Sequence, residues 1–175
     1  MTARTVVARP EFSLKTRLCQ FPRLLILRSY TKFFGIPGIR LGYLLGAPDL
    51  IERLAAVQEP WSVNTLAQAV GRACLAEVDF MARTRTLVVQ EREYLLKHLA
   101  SLPGLYPFPG AVNYLLVKLT RPGWTAAKLR KELLKHKIII RDASNFRGLD
   151  ESFFRIAVRR REENDRLLQA LKRAL

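Results

Sequence analysis

Three residues in one short stretch have types and spacing that could do chemistry together. They are Ser29, Lys32 and Arg40, in Arg28-Ser29-Tyr30-Thr31-Lys32-Phe33-Phe34-Gly35-Ile36-Pro37-Gly38-Ile39-Arg40-Leu41-Gly42-Tyr43. A lysine amine becomes a nucleophile once it gives up its proton, and apolar surroundings lower its pKa by disfavouring the charged form. Lys32 is flanked by aromatic and apolar residues, so its local sequence suits that role. A serine hydroxyl and an arginine fork can both bind phosphate oxygens. Gly35 and Gly38 permit turns and close approach of a ligand. On these residues alone, a basic loop between two strands is the plain alternative.

A second candidate lies near the C-terminus. Over 153–158 the sequence alternates as a strand, placing Phe154, Ile156 and Val158 on one face and Phe153, Arg155 and Ala157 on the other. An arginine on a buried strand face needs an anionic partner, and its planar fork suits a carboxylate. The alternative is an edge strand with Arg155 in water. Asn113, at the start of another strand, could approach a substrate. His98 and His136 fall near helix ends, where a cation suits the helix dipole, and neither is assigned a catalytic role. Trp61 and Trp124 read as packing or loop anchors. Cys19 and Cys74 have no metal-knuckle spacing, so no metal site is expected; Cys74 lies on an apolar stripe and reads as a buried thiol.

The elements that must position these residues follow from periodicity and punctuation. Residues 24–27 form a short apolar run before Arg28 and Ser29, expected as a buried strand. Residues 33–38 are a loop with two glycines and a proline, and 39–45 a second strand. A short helix is expected over 48–57, started by Pro48 and Asp49. Ser62 is a candidate N-cap for the next helix, with Leu66, Ala69, Val70, Ala73 and Cys74 as its apolar stripe. A long helix over about 79–101 buries Leu87, Val88, Tyr94, Leu95, Leu99 and Leu102, stops at Pro103-Gly104, and could join two lobes. Beyond it come a strand at 112–119, a helix capped by Thr125 and carrying Leu129, Leu133 and Leu134, strands at 138–141 and 153–158, and a last helix from about Glu162 burying Leu167, Leu168 and Leu171. This is a small sheet with helices packed on it. The two early strands are too few for a stable sheet. They must pair with the small sheet or with strands outside this sequence.

Thirty Lys and Arg stand against fifteen Asp and Glu in 175 residues, a net charge of +15. Such a balance raises the question of nucleic acid. The basic residues are scattered, however, and the cluster Arg159-Arg160-Arg161 is followed at once by Glu162 and Glu163. No nucleic-acid motif accompanies it, so nucleic acid is not an expected partner. Anionic substrates or an acidic partner segment explain the charge better. No apolar run is long enough to cross a membrane. Residues 1–10 lack the apolar stretch of a secretory signal, and the expected location is cytoplasmic.

Ser-x-x-Lys followed by seven residues and Arg-x-Gly-Tyr resembles the cofactor-lysine signature of class I and II aminotransferases. The resemblance runs from about Glu11 to Leu175. It is closest to the threonine-phosphate decarboxylase group of cobalamin biosynthesis, with the histidinol-phosphate aminotransferases next. Three segments carry it: 27–38 (Leu-Arg-Ser-Tyr-Thr-Lys-Phe-Phe-Gly-Ile-Pro-Gly), 60–64 (Pro-Trp-Ser-Val-Asn) and 140–146 (Ile-Arg-Asp-Ala-Ser-Asn-Phe), the last followed by Phe-Arg-Ile-Ala-Val-Arg at 154–159.

The resemblance implies an α/β fold, α+β in the small lobe: the C-terminal part of a pyridoxal-phosphate-dependent transferase fold. Residues 1–104 would be a remnant of the large domain with the connecting helix, and 105–175 the small C-terminal domain. It implies pyridoxal 5'-phosphate as cofactor, held covalently by Lys32 with Ser29 and Arg40 on its phosphate. It also implies a phosphorylated amino acid as substrate, with Arg155 on the carboxylate and Arg141 on the phosphate end. Dimer formation, or complementation by a separate N-terminal half, belongs to the same expectation. Relatives carry upstream a glycine-containing phosphate loop and an aspartate that keeps the cofactor ring protonated. Neither has a counterpart here, so weak activity or a silent assembly module is expected of the chain alone.

Overall fold

The computed structural model describes residues 13–175. The expectation concerning a leader at 1–10 lies outside the described residues. Two compact units are present, one ending at Arg83 and the other spanning Thr84–Leu175.

The first unit is built around a small antiparallel pair, β1 (Ile26–Ser29) and β2 (Gly42–Leu45). The register sets Ile26 opposite Leu45 and Ser29 opposite Gly42. The early strands therefore pair with each other, not with the later sheet. β1 lies two residues later than expected, and β2 is shorter than expected. β1 begins at Ile26 because the backbone amide of Leu24 turns back to the Phe21 carbonyl. β2 begins only at Gly42 because Pro37–Ile39 forms a 3-10 turn and Arg40 adopts a left-handed conformation (φ 56°). A side chain at Gly42 would collide with the Arg28 carbonyl oxygen, 2.6 Å from an added Cβ, so glycine is required for this close pairing.

Helix α1 (Pro48–Ala56) starts with proline at its first turn, where no amide hydrogen is needed. Helix α2 (Thr65–Ala76) is capped by Asn64, whose side chain accepts from the Ala67 amide at 2.9 Å. Ser62, the expected cap, instead pairs its hydroxyl with Gln58. The buried stripe of α2 is Ala67, Gly71 and Cys74, one step round from the expected one; Leu66 is 73% exposed. The Leu41 side chain packs on the helix at Gly71, where an added Cβ would push the tip of that leucine aside. Trp61, expected as an anchor, is 96% exposed.

Helix α3 (Val78–Ala100) spans the boundary between the units. Its buried positions, Val88, Glu91, Leu95 and Leu99, all follow residue 84, whereas Leu87 is exposed. The compact units divide within this helix, at 83/84. Gly104, at φ 85°, takes the turn that follows.

The second unit has a four-stranded antiparallel sheet in the order β3 (Leu105–Pro107), β4 (Tyr114–Leu119), β6 (Phe153–Ala157), β5 (Arg141–Asp142). β3 was not expected, being only three residues long and ending in proline. Proline suits an edge strand because it donates nothing to the ladder. β5 is shorter than the expected 138–141 because Lys137 adopts φ 58° and the Ile138 amide returns to the Leu133 carbonyl, capping the preceding helix. Helix α4 (Ala126–Leu134) is capped by Thr125 as expected, burying Leu129 and Leu133 but leaving Leu134 exposed. Helix α5 (Arg161–Ala174) buries Leu167, Leu168, Ala170 and Leu171. With Leu115, Val117, Phe154 and Ile156 from the sheet these residues form the core.

Candidate functional site

The strand ladder continues past Ser29, with the Tyr30 amide donating to the Leu41 carbonyl at 3.1 Å. Residues 31–40 thus form one closed loop, carrying Lys32 near its start and Arg40 at its end. Two backbone hydrogen bonds shape the start: Phe34 amide to Tyr30 carbonyl at 3.1 Å, and Ile36 amide to Thr31 carbonyl at 3.0 Å. The Ser29 hydroxyl lies 2.8 Å from the Thr31 hydroxyl and also accepts from the Thr31 amide at 3.3 Å. Thr31 is buried, so the hydroxyl pair is fixed at the neck of the loop. Arg40 donates from Nη1 to the Pro37 carbonyl at 3.1 Å, across its own turn.

The aromatic residues near Lys32 pack on one another. Phe34 stacks on Phe80 at 5.7 Å between ring centres and on Tyr30 at 5.6 Å; Tyr30 also meets Tyr43 at 5.4 Å. Burial pushes the Tyr30 hydroxyl up, reinforced by Tyr43 and Cys74. Lys32 itself is exposed. Its apolar sequence neighbours turn inward and do not cover it, so they do not supply the desolvation expected from sequence.

What the stretch around the loop does supply is positive charge. Residues 13–48 contain Lys15, Arg17, Arg23, Arg28, Lys32 and Arg40 and no aspartate or glutamate. Among the described residues neither Lys32 nor Arg40 makes an ion pair. An amine, a hydroxyl pair and a guanidinium on one loop are the donor types that a phosphorylated aldehyde such as pyridoxal phosphate calls for. Thr31, which fixes Ser29, was not singled out from sequence; its place two residues after a strand-end serine was the available signal.

The second unit brings Arg141 and Arg155 together. They are directly opposite partners in the β5–β6 ladder. The inward face of the sheet is buried, and Tyr114, Leu116, Phe153 and Arg155 lie on the other, as the alternation predicts. The Arg155 guanidinium sits 4.6 Å from the Tyr114 ring centre. Arg141 is exposed, donates to the Asn145 side-chain oxygen at 3.1 Å, and lies 5.9 Å from the Phe146 ring centre. Asn113 contributes its backbone carbonyl to the Val158 amide at 2.9 Å. Trp124 does serve as an anchor, with the Lys128 ammonium 5.0 Å from its ring centre.

One acidic cluster escaped the sequence reading. Glu91 is buried on α3 and receives Arg161 through two nitrogens, at 2.9 and 3.1 Å, together with the Asn164 amide at 2.8 Å. The Arg161 hydrogen bond, ahead of the others, holds the Glu91 carboxyl below its usual range despite burial. A glutamate on an otherwise apolar helix stripe was the signal. These groups join α3 to α5.

The family model for aminotransferase class I and II matches residues 5–171, and the chain belongs to that family. A relative from Caldanaerobacter subterraneus subsp. tengcongensis, provisionally named threonine-phosphate decarboxylase, is 47% identical over 150 residues, covering 86% of this chain and 40% of its own length. The structure of L-threonine-O-3-phosphate decarboxylase from Porphyromonas gingivalis superposes with a TM-score of 0.82 at 31% identity, covering 98% of this chain and 51% of that one. Histidinol-phosphate aminotransferase from Sinorhizobium meliloti, solved in complex with pyridoxal-5'-phosphate, superposes with a TM-score of 0.74 at 25% identity, covering 87% and 41%. The chain thus corresponds to part of the family's fold and spans about 40% of the length of that Caldanaerobacter relative. Pyridoxal phosphate is the family's cofactor.

Proposed function

We propose that this chain carries the lysine and the arginines of a pyridoxal-phosphate enzyme of the threonine-phosphate decarboxylase type, acting on a small phosphorylated amino acid. The observation that carries the reading is the closed loop 31–40, with an exposed lysine that makes no ion pair among the described residues and a fixed hydroxyl pair at its neck. Ser29 and Arg40 would hold the cofactor phosphate, and Lys32 would hold the cofactor by its amine. When bound, the cofactor withdraws electrons from the substrate Cα. Arg155 would orient the substrate carboxylate and Arg141 its phosphate, while Lys32 moves a proton at the substrate's Cα. A histidinol-phosphate aminotransferase uses the same cofactor, and which Cα bond breaks depends on substrate orientation. The groups that bind the cofactor ring in relatives have no counterpart in this sequence. In this reading they come from another polypeptide segment, and the chain alone binds cofactor weakly and turns over poorly.

The test is titration of the full chain with pyridoxal phosphate, followed by borohydride trapping and peptide mass analysis. The expected result is a visible absorbance band and a single trapped adduct on Lys32, lost in Lys32→Ala and weakened in Ser29→Ala and Arg40→Ala. Adducts spread evenly over surface lysines, unaffected by Lys32→Ala, would overturn the reading.

A further inference from the structure

Two guanidiniums placed directly opposite each other across a strand pair repel. Proteins usually relieve such a pair with a carboxylate. Here Arg141 and Arg155 are direct partners, and among the described residues neither makes an ion pair. The adjacent carboxylate, Asp142, accepts from the Ser144 amide at 2.9 Å and feels the Arg141 charge without forming an ion pair with it.

Neutral groups hold the two forks instead, one on each side. Tyr114 is paired with Ala157 on β4, diagonal to Arg155, and draws that guanidinium toward β4, 4.6 Å from its ring centre. A tyrosine face attracts a cation through its quadrupole and leaves the charge in place. On the far side, Asn145 lies in the turn after β5, where the Phe146 amide closes back on the Ala143 carbonyl at 3.0 Å. Its side-chain oxygen receives Arg141 at 3.1 Å. An amide oxygen accepts one of arginine's five donors and leaves the others free. A carboxylate at either place would orient the fork equally well but would also neutralise it.

Resting on the proposed function, we infer that Tyr114 and Asn145 are positioning residues that hold Arg155 and Arg141 apart, with neither fork tied up in an ion pair, to receive two anionic groups of one small substrate. Orientation in advance lowers the ordering cost of binding. The two tethers therefore set affinity for the dianionic substrate without touching the reacting atoms.

The test measures binding of O-phospho-L-threonine to the full chain by calorimetry, beside the thermal midpoint of each variant. Tyr114→Leu and Asn145→Ala should each weaken binding about tenfold, with the midpoint unchanged. Tyr114→Phe, which keeps the ring, should restore binding. Asn145→Asp should bind more weakly than Asn145→Ala, because the new carboxylate occupies Arg141; a purely structural role for the turn would not give that order. If Arg141→Ala and Arg155→Ala abolish binding while the Tyr114 and Asn145 variants behave as the unaltered chain, the positioning inference fails and the proposed site stands. If binding is indifferent to Arg141→Ala and Arg155→Ala, both fail.

Discussion

The loop that carries Lys32 and the sheet that carries Arg155 are built to different standards. The sheet unit encloses Leu95, Leu99, Leu115, Leu129, Leu133, Phe154 and Leu171, all essentially inaccessible. In the loop unit the buried residues are few, chiefly Tyr30, Thr31, Ala67 and Cys74, while Leu27, Val57, Leu66 and Leu75 are between 62% and 80% exposed. Fully burying a large aliphatic side chain contributes roughly 1.5–3 kcal/mol, so the sheet unit holds a core the loop unit lacks. Two hydrogen-bonded strands are marginal by themselves. Arg141 and Arg155 thus stand on a unit with a closed apolar core, and Ser29, Lys32 and Arg40 on one with few buried side chains.

Core truncation should break this contrast most sharply. Phe154→Ala should cost about 3–5 kcal/mol and unfold the sheet unit cooperatively in denaturant, whereas Leu27→Ala should move the same transition by less than about 0.5 kcal/mol. Equal effects would mean that the two units share one stability.

Acid should act on the sheet unit through Glu91. Its folded pKa is depressed, first by the Arg161 hydrogen bond. Its stabilisation is therefore complete above the unfolded glutamate value of about 4.3 and is lost as pH falls through the lower folded value. Glu91→Gln should flatten that acid limb and cost about 1–3 kcal/mol at neutral pH, since Arg161 and Asn164 lose a charged acceptor. A thermal midpoint that falls equally in acid for Glu91→Gln and the unaltered chain would refute the assignment.

The smallest effects come from the helix caps, which sharpen the contrast. Thr125→Ala should cost about 1 kcal/mol of global stability in the sheet unit. Asn64→Ala removes an equivalent bond to the Ala67 amide. It should show instead as faster amide exchange confined to the start of α2, leaving the main transition in place.

The sequence was most legible where burial and pattern coincide. Alternation over 153–158 placed Arg155 on the open face, and Thr125, Leu129 and Leu133 marked α4 because that helix has a complete core to face. In the loop unit the same logic failed. The expected stripe of α2 included Leu66, which is exposed, because apolar periodicity marks a face without saying whether anything covers it. Lys32 looked desolvated from its neighbours because sequence adjacency cannot show that Phe34 and Tyr30 pack away from it. The opposed arginines were unreadable for another reason: register depends on where β5 begins, and the left-handed Lys137 delays it to Arg141.

Arg40 sits at φ 56°, where an L side chain is strained and glycine is at ease. The position therefore separates two kinds of selection. A library of variants sorted only for resistance to proteolysis should drift there toward glycine or asparagine. One sorted for retention of a phosphorylated ligand should keep arginine.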